Sequence, residues 1–256
     1  MPGENPLMLW TYLAVIAALL GTGVVAWQAM ETHRTTTLSH RTLEASNSLA
    51  IDSARTRLDQ GAPRVDVYVE QVSVLSAGSG NVPGPQAESA APWHLPADAD
   101  RTLQVQAQVR VVNLMSDRTI HLKVKGLHDT AMRPDTEVLL VPSAKLVYFL
   151  TATFTLGQWA ENWESRKARN PALNVVEGYV RAGDDRDEGV QDTWPLHLAA
   201  WPIEPAGDSD GTWRLTAGMT GNDWFEIAIR PLRERSYWIS QRENVKLPVP
   251  MHYKTQ

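Results

Sequence analysis

The chain has 256 residues, enough for one large domain or two small ones, and its 43% hydrophobic and 21% charged content is ordinary for a folded protein. A net charge of -5 gives no basis for nucleic-acid binding, and none is expected. The absence of cysteine excludes disulfides, thiolate-bound metals and a cysteine nucleophile.

After a short tail of residues 1–6, the stretch Leu7 to Trp27 carries no charged residue. As a helix it would span roughly 31 Å, the thickness of a hydrocarbon core. Trp10 and Tyr12 near one end and Trp27 at the other suit the two interfaces of a bilayer. A cleaved signal peptide would begin with a basic segment, whereas here the tail holds only Glu4. A retained single-pass transmembrane helix is therefore expected. Lys and Arg near the span lie only on its C-terminal side, as Arg34 and Arg41, which favours a cytoplasmic C-terminal domain.

Residues 28–62 form the next expected element, a spacer helix that stops at Gly61-Ala62-Pro63. Leu43, Asn47, Ala50, Ala54 and Leu58 fall on one face. Ala17 and Gly21 form a small-xxx-small pair within the apolar span. Self-association through these helices is one expectation, and a solvated or membrane-skimming spacer is the other.

From residue 63 onward the periodicity becomes two, so residues 63–256 are expected to form an antiparallel β-sandwich. Val65, Val67 and Val69 alternate with polar residues, and Val72 and Val74 resume out of phase, which predicts a bulge. The clearest strand runs over 103–111, and Ile120, Leu122 and Val124 form another inward face. Further strands are expected at 137–141, 145–156, 173–181, 193–201, 212–216 and 224–230. A helix between Leu156 and Asn170 would put Trp159 and Trp163 on one face. The Gly- and Pro-rich stretch 76–100 reads as a long mobile surface loop.

The order of anchor, Arg-containing helix, "APRVDVYVEQV" and "LQVQAQVRVVNLMSDRTIHLKV", with its xVxN strand end, resembles uncharacterised actinobacterial single-pass membrane proteins. The resemblance covers roughly residues 8–125 and implies an immunoglobulin-like β domain after a membrane helix and spacer. It supplies no site residues.

Chemistry is sparse. Asp185, Asp187 and Asp192 are the minor candidates for a Ca²⁺ site, in a loop that breaks the EF-hand pattern at Gly189 and Val190. Asp208 and Asp210 begin the same pattern, which then fails at Thr212. Solvated turns are the simpler reading of both, and no metal or cofactor is expected. His94, His121, His128, His197 and His252 are scattered. There is no G-x-S-x-G, H-E-x-x-H or phosphate-cradling glycine loop. Eight tryptophans lie beyond the span, most expected in the core, with Trp93 the expected exposed interface candidate. The expected function is a membrane-tethered, non-enzymatic protein-interaction or assembly module. The alternatives are an enzyme with an unrecognised site, such as a hydrolase, and a membrane-anchored ligand sensor.

Overall fold

The computed structural model describes residues 6–76, 92–184, 186–207, 211–216, 224–228 and 230–248, except for the side chains of 6–20 and 76. The chain divides into two compact units, Met1–Arg57 and Leu58–Gln256.

One uninterrupted helix, α1 (Pro6–Gln60), covers both the expected anchor and the expected spacer. Pro6 is tolerated at its first position, where the missing N–H has no intrahelical acceptor anyway. Beyond Gly23 nothing in the sequence breaks a helix before Gly61. Thr32, Thr35, Thr36, Thr37, Thr42 and Thr56 each donate their hydroxyl to the carbonyl four residues earlier. The end is tight: Gly61 N–H reaches Leu58 O at 3.1 Å and Ala62 N–H reaches Asp59 O at 3.2 Å, and Pro63 blocks continuation. The helix thus stops at Gln60, two residues short of the expected boundary. Its last turn belongs to the second unit. Among the described residues no helix is long and apolar enough to cross a membrane. The structure therefore does not support the expected transmembrane helix at 7–27. The side chains of residues 7–20 of that span, Trp10 and Tyr12 included, lie outside the described residues, and Trp27 is exposed.

The second unit is built of antiparallel strands. In chain order they are β1 (Val65–Ser76), β2 (Trp93–His94), β3 (Thr102–Asn113), β4 (Ile120–Lys125), β5 (His128–Asp129), β6 (Glu137–Leu140) and β7 (Lys145–Thr155). The helix α2 (Leu156–Lys167) follows, then β8 (Val175–Gly183), β9 (Gly189–Ala200), β10 (Ile203–Pro205) and β11 (Thr212–Leu215). The last are β12 (Phe225–Glu226), β13 (Glu234–Ser240) and β14 (Val245–Lys246). One sheet has the order β1-β3-β7-β5, and a larger one β14-β13-β9-β8-β4-β6 with β12 paired to β9. A small third sheet is β10-β11-β2. This mainly-β, antiparallel arrangement is consistent with a β-sandwich.

The strict alternation of β3 explains the layering. Leu103, Val105, Ala107, Val109 and Val111 point inward and are buried, while Gln104, Gln106, Gln108 and Arg110 point outward. Leu150 of β7, Leu122 and Val124 of β4, Val180 of β8 and Leu196 and Leu198 of β9 join the same core. Each buried aliphatic side chain contributes about 1.5–3 kcal/mol. The expected bulge in β1 is present, as a register shift between Val69 and Gln71 against β3. It leaves Glu70 unpaired in the ladder and turns Gln71, Ser73 and Leu75 onto the outer face.

Helix α2 begins with a capping box, in which Thr155 accepts from Gln158 N–H and the Gln158 side chain accepts from Thr155 N–H. Trp159 is fully buried and donates Nε1 to Leu103 O at 3.1 Å. The helix ends at Lys167, three residues before the expected Asn170, where Arg169 adopts a φ of 59°.

The expected 76–100 loop needs correction. Residues 77–91 lie outside the described residues, but β2 pairs with β11 and the turn after it is tied by Asp98, which accepts from His94 N–H at 2.8 Å. Among the described residues the expected 224–230 strand is reduced to the two residues of β12, and β13 is a strand that the sequence pattern does not predict. Strand β9 starts at Gly189 rather than 193 because residues 189–192 pair with β13, and Gln191 and Asp192 pair with β8 as well.

Candidate functional site

The outer face of the first sheet carries a groove of about 200 Å³. Strand register places its side chains in rows. Gln71 of β1 faces Gln108 of β3, which faces Phe149 of β7, which faces His128 of β5. In the next row Ser73, Gln106 and Thr151 are neighbours, and Leu75 opens the third beside Gln104. Adjacent strands are about 4.8 Å apart and same-face residues about 6.8 Å along a strand, so these groups converge on one patch. Asp129 of β5, with Thr130 and Met132 of the loop after it, completes the wall.

His128 is fixed from three sides. Its ring stacks on Phe149 with centroids 5.5 Å apart, Nδ1 lies 3.2 Å from the Asp129 carbonyl oxygen, and Nε2 lies 2.8 Å from Thr151 Oγ1. A carbonyl only accepts, so Nδ1 carries a proton, and in that neutral tautomer Nε2 is the acceptor for the threonine hydroxyl. The loop is equally rigid. Asp129 Oδ1 accepts from Ala131 and Arg133 N–H, and Oδ2 accepts from the Arg133 guanidinium at 2.8 and 2.7 Å. These bonds, led by the Arg133 backbone, hold the Asp129 carboxyl below its ordinary value.

The charges around the groove are paired. Glu70 accepts from Gln108 Nε2 at 2.7 Å and from Arg110 Nη2 at 2.8 Å. By contrast, the side chains of Gln71, Ser73 and Gln106 have no partner among the described residues. The site thus offers free amides and hydroxyls beside the apolar Leu75, Met132 and Phe149.

A second polar cluster ties the last turn of α1 to the larger sheet. Asp192 is buried, and Arg235 donates Nε to its Oδ1 and Nη2 to its Oδ2, both at 2.7 Å. Arg235 Nη1 also reaches Asp59 Oδ1 at 2.7 Å, and Tyr237 OH donates to Asp59 at 3.2 Å. Leu58, Ala62 and Val190 form a small buried cluster alongside, with Tyr237 and Leu247. Asp192 holds the Arg235 guanidinium above its already high ordinary value.

The expected site residues go elsewhere. Trp93 is not an exposed interface residue: pairing of β2 with β11 turns it inward, and it is 8% exposed within the main core. Asp187 accepts from Ser240 Oγ and Arg242 N–H, both at 2.9 Å, closing the β13–β14 turn, while Asp192 is spent on Arg235. Asp185, Asp208, Asp210 and His252 lie outside the described residues. Among the described residues no three His, Asp or Glu groups lie close enough to hold a metal ion. Trp159, Trp194, Trp201 and Trp224 are buried, and Trp163, Trp213 and Trp238 are half-buried. His121 bonds Glu137 on the outer face of the larger sheet, 2.9 Å from its carboxylate.

No short motif encodes the groove. Its residues come from four strands, and only the polar members of β1 and β3 show as a row in the sequence. Comparison with known protein families, characterised proteins and solved structures returned no match to this chain.

Proposed function

We propose that this protein is a membrane-tethered, non-enzymatic interaction module that assembles through α1. The observation that carries this reading is the exposure of that helix. Every residue from Gly21 to Ala50 is exposed, including Leu38, Leu43 and Leu49. A helix without a buried face draws little stability from packing and gains it from a partner or a membrane. The uncharged run Leu7–Trp27 supports insertion in a bilayer as a single-pass anchor, and Arg34 and Arg41 support a cytoplasmic β domain. An immunoglobulin-like fold is supported by part of the strand order: β1-β3-β7 and β9-β8-β4 match the A-B-E and G-F-C cores of such sandwiches, whereas β5 precedes β6 in the chain and β13 extends the larger sheet beyond β9.

The cysteine-free sequence allows a clean test. Single cysteines replacing Leu38, Leu43 or Leu49 in the full chain, oxidised in membranes, should give cross-linked dimers at positions of one helical face. No adduct at any of the three positions, with itself or another protein, contradicts the assembly reading.

One observation favours an enzyme instead. Thr151 Oγ1 beside His128 Nε2 has the spacing of a nucleophile and its base. Thr151, however, does not line the groove. Ester hydrolysis by the purified chain that vanishes in Thr151→Val would establish the enzyme reading, and its absence supports the binding module.

A further inference from the structure

We infer that the groove on the outer face of the first sheet binds one ring of an uncharged saccharide. This inference goes beyond the reading of the chain as a module assembled through α1, and a different part of the molecule carries it.

Charge sets the ligand class. The carboxylates at the groove, Glu70 and Asp129, are each matched by an arginine at 2.7–2.8 Å, so a charged ligand would lose hydration without gaining a counter-ion. Hydrogen-bonding capacity points the same way. The unpartnered amides of Gln71 and Gln106 each offer donors and an acceptor, and Ser73 adds a hydroxyl that does both. Hydroxyl groups of a sugar need that two-way complement. Leu75, Met132 and Phe149 line the same groove and supply apolar surface for the C–H face of a pyranose.

Size and backbone narrow it further. A volume near 200 Å³ is below the range of about 300–1,000 Å³ typical of drug-sized ligand sites and suits a single ring. The two central strands, β3 and β7, are paired on both sides, so their main-chain groups are spent in the ladder. A peptide that adds to a sheet through its main chain would take the outer edge of β1, whereas the groove lies across the face, over β3 and β7. The groove is also pre-organised, because the 129–133 loop is locked by Asp129 and β5 is paired to β7.

The test uses the full chain in a zwitterionic, sugar-free detergent, with saturation-transfer NMR and calorimetry. The probes are neutral trisaccharides: an α-1,4-glucan, a β-1,4-glucan and a β-1,4-linked N-acetylglucosamine oligomer. At least one should bind, and Gln106→Leu and Gln71→Leu should each weaken it about tenfold or more, with the melting temperature unchanged. Lys123→Ala, on the other sheet, should bind as the parent does. The inference is overturned by no binding from any trisaccharide, by binding that survives both glutamine substitutions, or by an uncharged peptide occupying the groove instead. Because cross-linking of α1 is read separately, loss of the saccharide inference leaves the assembly reading standing, and the reverse also holds.

Discussion

At the scale of single residues, buried polar groups carry much of the specification. Asn113 is 1% exposed and satisfies its side chain completely. Its Nδ2 donates towards the carbonyls of Arg118, Leu140 and Val141 at 2.9–3.1 Å, and Oδ1 accepts from Met115 N–H. One asparagine thereby ties the end of β3 to the following turn and to the end of β6. Asn113→Leu removes these bonds and strands buried carbonyls, and should cost about 2–4 kcal/mol in denaturant unfolding. Asp192 and Arg235 form the other such pair. Asp192→Asn should destabilise by about 1.5–3 kcal/mol, because Arg235 loses the buried one of its two carboxylate partners and keeps Asp59. Replacing both with apolar residues should recover part of the loss, which a double-mutant cycle would read.

Acid sensitivity belongs to this scale as well. The Asp129 and Asp187 carboxyls are both held below their ordinary value of 3.8, chiefly by backbone N–H groups of Arg133 and Arg242. A depressed folded pKa means that the unfolded chain binds the proton more readily. Their stabilisation is therefore present above the unfolded pKa and fades as pH falls through the lower, folded one. Unfolding followed from pH 6 to about pH 2 should show a shallower acid limb in Asp129→Asn than in the parent. An identical slope would show that the loop bonds do not contribute.

At the scale of elements, what was legible in the sequence is what alternates or caps. The nine-residue alternation of β3, the phase change in β1 and the stop at Gly61 each leave a local pattern, and each appears in the structure. Strand β13, ERSYWIS, shows no apolar alternation because its inward residues are Arg235 and Tyr237, which bond Asp192 and Asp59 beside the small cluster of Leu58, Ala62 and Val190. Trp93 shows the opposite case. Its flanks are rich in Gly and Pro, and the contact that buries it comes from β11, more than a hundred residues later. The groove is invisible for the same cause, since register across four strands has no local signature.

Gly126 gives the element-scale prediction. It sits at φ 75° between β4 and β5, and a Cβ there would lie 2.5 Å from Glu177 O and 2.9 Å from Gly178 Cα. Both contacts are backbone, so neither can step aside. Gly126→Ala should therefore destabilise by more than the about 1 kcal/mol of an ordinary glycine substitution. A melting temperature equal to the parent's would show that the two strands are free to move apart.

At the scale of the whole molecule, the reading is a β domain tethered by its N-terminal helix and assembled through it. The most direct measurement is alkaline carbonate extraction of membranes carrying the full-length chain, with the mass of the recovered protein determined. The account predicts that the chain stays in the membrane pellet with residues 7–27 intact. Recovery in the soluble fraction, or a chain that begins after residue 23, would contradict it.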